Sequence, residues 1–90
     1  MYYVYILVSE KMPDKVYVGF TTNLTKRLQE HNGGLSTYTK SFKPWKMVCA
    51  IRFTESEQAE KFERYLKKGS GFAFMKKHLL PKVPTKLLAK

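Results

Sequence analysis

The chain has 90 residues, 43% of them hydrophobic and 14% aromatic, which suits one folded domain with a modest core and argues against a disordered segment. Its net charge of +10 is uneven, since residues 61–90 carry nine basic side chains against one acidic; such an excess points to a polyanionic partner. The longest apolar run, Tyr2 to Val8, is too short to cross a bilayer, and the single cysteine, Cys49, rules out an internal disulfide.

Tyr2 to Val8 is aromatic and β-branched, a strand signal. It is apolar at every position, so both of its faces should be covered. Pro13-Asp14 marks a turn, and Val16 to Phe20 reads as a second strand, paired with the first as an antiparallel hairpin. Thr22 or Asn23 can cap a helix running to about His31, with Leu24 and Leu28 as its apolar row. Asn32-Gly33-Gly34 ends it, with a glycine free to take positive φ. Residues 35–45 form a polar loop studded with aromatics, and Lys46 to Phe53 a third strand.

Thr54-Glu55-Ser56-Glu57 has the pattern of a capping box, with Thr54 at the cap. The helix it opens should run to about Lys68 with Ala59, Phe62 and Leu66 on its buried stripe. Gly69-Ser70-Gly71 breaks it. Phe72, Met75 and Leu79 suggest a last helix of about two turns, which Pro81 and Pro84 end. The expected domain spans residues 1–80, followed by a basic tail at 81–90. The order β-β-α-β-α-α is that of an α+β domain, a small sheet with helices packed on it.

Alternation along the strands puts Tyr3, Tyr5 and Leu7 on one face, and Tyr17 and Gly19 on one face of the second strand. The hairpin can bring Tyr5 and Tyr17 together, and Gly19 leaves room for a backbone or phosphate to approach. Arg27 and His31, at i and i+4, project from one side of the first helix. Glu63 lies at the edge of the buried stripe of its own helix. Taken singly, each residue has an ordinary reading. The tyrosines would be core aromatics, Arg27 a solvated helix position, and His31 a helix C-terminal residue facing the dipole. Glu63 would be an i,i+4 partner of Lys67. Cys49 reads as a small core residue, and His78 as surface.

Their joint order is more specific. Tyr3-Val4-Tyr5 followed by Tyr17-Val18-Gly19 resembles the two signature tripeptides of the GIY-YIG nuclease superfamily, with Tyr3 where the family has its first glycine and Val4 for the isoleucine. Asn23 to His31 is similar to the family's first helix, with its arginine at Arg27. Ala59 to Lys68 is similar to the helix that carries the metal-binding glutamate, here Glu63. The resemblance covers about residues 2–80 and is closest to the short bacterial members. It implies a three-stranded antiparallel sheet flanked by helices and a metal-dependent DNA endonuclease, structure-selective and acting in repair or recombination.

The resemblance also implies roles. A divalent ion, Mg²⁺ or Mn²⁺, would be held by Glu63, polarise the phosphate and stabilise the leaving group. Arg27 would grip two phosphate oxygens. Tyr5 would be the base, Tyr17 would bind phosphate or relay a proton, and His31 would be a relay or phosphate ligand.

Lys26, Tyr38, Lys40, Lys67 and Lys68 are expected to contact nucleic acid, with Lys76 and Lys77 on the backbone. Trp45 either stacks on bases or pins its loop to the core. The expected partner is DNA, with RNA left open, and no membrane, since no long amphipathic helix has an aromatic face to insert. The expected location is the cytoplasm, as no charged-then-apolar leader is visible. With no second domain expected, a protein partner would supply specificity. The alternative function is a nucleic-acid-binding module of the same fold with little turnover.

Overall fold

A computed structural model describes residues 1–81. The basic tail expected after them lies outside the described residues, Pro81 excepted. Three strands, β1 (Tyr2–Ser9), β2 (Val16–Thr21) and β3 (Trp45–Phe53), form an antiparallel sheet in the order β2-β1-β3. β1 is therefore central, as its apolar character requires: Val4, Tyr5, Ile6 and Leu7 are all buried.

The even positions of β1, Val4 and Ile6, pack with Val18 under Ala59, Leu66 and Met75. The odd ones, Tyr5 and Leu7, pack with Trp45 under Leu24, Leu28 and Phe42. One layer of helix thus covers each face, formed by α1 (Leu24–Asn32) and α2 (Thr37–Lys40) on the odd side. The even side is covered by α3 (Ser56–Leu66) and α4 (Gly69–Phe74), which continues into a π-helical turn over Met75–Leu79. Among the described residues no helix is long and apolar enough to cross a membrane.

Asn23 caps α1, its side chain accepting the Lys26 N–H at 3.0 Å. The chain then turns through Gly34 at φ +83°. The loop expected over residues 35–45 contains α2. Its four residues have little helical drive of their own. They are fixed from outside, because the Trp45 indole N–H donates to the Thr39 carbonyl at 2.8 Å. Asn32 clasps the Trp45 backbone, accepting its N–H at 2.5 Å and donating to its carbonyl at 3.2 Å. Trp45 is a buried anchor, and its stacking role falls away.

The expected capping box does not form. β3 keeps its ladder to Phe53, opposite Tyr2, so helical winding begins late and Glu55 is the cap, without a side-chain bond. α3 also stops two residues early, at Leu66. The break falls at Lys67-Lys68, and the chain re-enters helix at Gly69, where φ is +61°. Gly71 is needed for packing: a Cβ there would collide with the Tyr65 carbonyl at the end of α3. Cys49 is half-buried, and burial pushes its thiol up, which keeps it protonated and unreactive.

Candidate active site

The hairpin register sets Tyr5 opposite Gly19 and Leu7 opposite Tyr17. Tyr5 and Tyr17 share the α1 face, their ring centroids 6.2 Å apart. The space opened by the missing side chain at Gly19 does not receive a phosphate. The end of the Tyr5 ring fills it, and a Cβ there would collide with the Tyr5 Cζ and hydroxyl oxygen. Tyr5 is thereby laid across the outer strand β2 with its hydroxyl toward the edge of the sheet.

The last turn of α1 brings a fully buried His31 to this hydroxyl. Its Nε2 lies 2.9 Å from the Tyr5 oxygen and its Nδ1 2.9 Å from Thr39 Oγ1. The Thr39 hydroxyl donates onward to the Ser36 carbonyl at 3.4 Å. Its oxygen is then the acceptor for an Nδ1–H, which leaves the Nε2 lone pair to accept the Tyr5 proton. A directed chain runs Tyr5 → His31 → Thr39 → Ser36. Burial, followed by the Arg27 cation, pushes the imidazole below its ordinary value and keeps it neutral. Both nitrogens of His31 are engaged inside the protein, and the residue has no exposed surface.

Burial, with Tyr17 beside it, pushes the Tyr5 phenol up to about 12. The Arg27 guanidinium pulls the other way, and the Glu63 carboxylate adds to the rise. Arg27 from α1 and Glu63 from α3 thus both act on one phenol. Tyr5 has no exposed surface and has committed its proton to His31. The expected base is therefore shut away from solvent, whereas Tyr17 is half-exposed, with its ring 4.7 Å from that of His31.

Arg27 is not a free fork. Its Nη1 donates to Glu30 Oε1 at 2.7 Å, and this bond is the main cause raising the guanidinium above its already high value. The pair lines a polar hollow with Thr21, Asn23 and the exposed Lys26. Glu63 carries the ordinary i,i+4 partner after all, Lys67 Nζ at 2.8 Å. Among the described residues no cluster of three or more His, Cys, Asp or Glu side chains could hold a metal. A divalent ion would have Glu63 as its single protein carboxylate. That donor set fits Mg²⁺, which is commonly held by one or two carboxylates with water and substrate phosphate completing the shell.

Of the residues expected to touch nucleic acid, Tyr38, Lys40, Lys67 and Lys68 are exposed. Tyr38 stands 6.1 Å from Tyr17, ring to ring. Sequence reasoning missed Thr39 and Glu30. Glu30 carried a signal in its i,i+3 spacing from Arg27. Thr39 carried none, because its partner is eight residues away across a turn.

Residues 1–78 match the model of the GIY-YIG catalytic domain. The chain is 39% identical over 69 residues to the UPF0213 protein CPE1444 of Clostridium perfringens, covering 76% of this chain and 72% of that protein. It is also similar to structure-specific endonuclease subunits SLX1 of two fungi. Against that of Debaryomyces hansenii it is 38% identical over 72 residues, covering 72% of this chain and 21% of the relative. Against that of Meyerozyma guilliermondii it is 36% identical over 85 residues, covering 78% and 29%. The chain therefore spans less than a third of those fungal proteins. Matched by that model over most of its length, the chain belongs to the GIY-YIG catalytic-domain family.

Proposed function

We propose that the chain is a metal-dependent endonuclease that hydrolyses DNA phosphodiesters, with branched or otherwise structured DNA as substrate. The observation that carries the proposal is the packing of Tyr5, Tyr17 and His31 into one cluster, with the charges of Arg27 and Glu63 near enough to act on the Tyr5 phenol. Two fungal relatives are structure-specific endonuclease subunits by name. "Structure-specific" supports the preference for structured DNA, and "subunit" supports a protein partner that supplies specificity. A cytoplasmic setting belongs to the same proposal.

In this reading the phenol that meets the substrate is Tyr17, and Tyr5 is a positioning residue. Hydrolysis needs a water deprotonated, the charge of the phosphorane stabilised and the leaving oxygen neutralised. Tyr17, the half-exposed phenol of the pair, takes the water's proton as the general base. The buried chain from Tyr5 to Thr39 fixes the imidazole and phenol against which Tyr17 packs. Arg27, oriented by Glu30, donates to phosphate oxygens; one such donor is worth on the order of 10²–10³ in rate. Glu63 would hold the divalent ion, which supplies Lewis-acid stabilisation of the phosphate and leaving group when bound. Lys26, Lys40, Lys67 and Lys68, and Lys76 and Lys77 beyond them, neutralise flanking phosphates.

The test is incubation of labelled duplex, forked, flapped and single-stranded DNA with Mg²⁺ or Mn²⁺, beside Glu63→Ala. Metal-dependent cleavage that is lost in the variant is expected. Lys67 already occupies the Glu63 carboxylate, an observation that favours a binding module with little turnover as the second reading. Binding without cleavage of any of these DNAs would select it. A matched RNA panel decides whether the substrate class is wider.

A further inference from the structure

A groove of about 310 Å³ runs along the outer edge of β2. Its floor is Val16, Tyr17 and Val18; Tyr38 stands on one side, Phe72 and Lys67 on the other. The two aromatics are both open to solvent, 46% exposed for Tyr38 and 42% for Phe72. They come from elements on opposite faces of the sheet, α2 and α4, so the walls are aromatic and the floor apolar. The surroundings are cationic. Lys76 Nζ lies 5.5 Å above the Phe72 ring, and Lys67, Lys68 and Lys77 are all exposed around the same corner.

An apolar slot between aromatic walls, ringed by lysines, fits a planar apolar group tethered to phosphates. A peptide strand would satisfy the floor but would leave Lys68, Lys76 and Lys77 without anionic partners. The groove also shares Tyr17 with the reacting cluster, so whatever enters it lies next to the phosphate under attack.

We infer that this groove receives an unpaired nucleobase of the bound DNA, adjacent to the scissile phosphate, stacked against Phe72 and Tyr38. The inference rests on the nuclease reading and deepens it, for it gives a physical source of preference for DNA that is not fully paired. Every base offers a π-face, so the slot selects for an unpaired base and not for a sequence. A fully paired duplex keeps its bases stacked on one another and cannot fill it.

The test is a coupling cycle in EDTA, so that cleavage plays no part. A forked DNA is compared by fluorescence anisotropy with the same fork made abasic at the first unpaired nucleotide, each against wild type, Phe72→Ala, Tyr38→Ala and Phe72→Trp. Wild type should bind the intact fork about 5- to 100-fold more tightly than the abasic one. Phe72→Ala should lose that advantage and bind both within about twofold, and Tyr38→Ala should shrink it. Phe72→Trp should keep it, which separates stacking from a folding defect, and fully paired duplex should bind wild type and Phe72→Ala alike. Abasic and Phe72→Ala losses that simply multiply would overturn the inference. So would an intact fork bound no better than the abasic one, or a self-dimer in sedimentation that Phe72→Ala dissolves. The cycle stands whether or not metal supports cleavage, so failure of the nuclease reading would show in the cleavage assay alone.

Discussion

The ring of Tyr5 lies across Gly19, its cross-strand partner, and occupies the space a side chain at position 19 would need. The smallest substitution there should act at a distance from its own atoms. Gly19→Ala must displace the phenol and with it the bond to His31. A loss of about 1–3 kcal/mol is expected from such overpacking, read in urea unfolding, or as about 4–8 °C in Tm per kcal/mol. Cleavage should fall further than stability accounts for.

Tyr5 and Tyr17 differ in what they touch, and their phenylalanine variants should differ accordingly. Tyr17→Phe is expected to lower kcat by about 10²–10⁴-fold while DNA affinity is retained. Tyr5→Phe removes a buried donor to His31 and should mainly lower stability, with a smaller fall in kcat. A Tyr5→Phe variant with no detectable turnover beside an active Tyr17→Phe would return the base to Tyr5.

Thr39 sets the tautomer of His31. Thr39→Val keeps the shape and takes away the acceptor of the Nδ1–H, leaving a buried donor unpaired at about 1–3 kcal/mol. The Trp45 bond goes to the Thr39 backbone and should survive. Nitrogen NMR of labelled histidine should show His31 protonated at Nδ1 in wild type and a shifted tautomer balance in the variant.

Two buried groups fix the pH response. His31 titrates lower in the folded chain than the ordinary 6.5. As pH falls through that value the unfolded state takes up a proton that the folded state does not, so stability falls toward acid. Tyr5 titrates higher when folded, at about 12 against 10. Between those values the unfolded phenol ionises first, so stability present below pH 10 is lost as pH rises. His31→Gln should flatten the acid limb of urea-midpoint curves and Tyr5→Phe the alkaline limb, each leaving the other in place.

The Glu63–Lys67 contact at 2.8 Å sets cation against cation for one carboxylate. Glu63→Gln should abolish metal-dependent cleavage and leave binding in EDTA intact. Lys67→Met should lower the Mg²⁺ concentration needed for half-maximal cleavage while weakening DNA binding and reducing its salt slope by about one. An unchanged Mg²⁺ requirement would mean the lysine does not compete.

The strands were legible because β1 is apolar throughout and β2 nearly so, and the period-2 alternation of side chains then assigns the faces. The positions of Tyr5, Tyr17, Arg27 and Glu63 follow from that alternation and from helical spacing. Hydrogen bonds between distant segments were not legible. The folding of Thr37–Lys40 depends on Trp45 reaching back to Thr39, and the local sequence there reads as loop. The missed cap at Glu55 has the same origin: β3 stays paired to Phe53 because Tyr2 lies opposite, and that tertiary pairing outweighs the local pattern at Thr54. Nor does sequence say that the tip of Tyr5 fills the gap at Gly19, since a glycine marks where space is needed but not what takes it.

The division of labour along β1 makes the strand intolerant of length changes. Odd positions supply the phenol chemistry and even positions the packing under α3, so inserting one residue between Val4 and Tyr5 would send the phenol into the hydrocarbon layer and Ile6 toward α1. The hairpin tip at Pro13-Asp14 is exposed and bound by no such parity. A residue added at that tip should therefore be tolerated, whereas one added between Tyr3 and Leu7 should not.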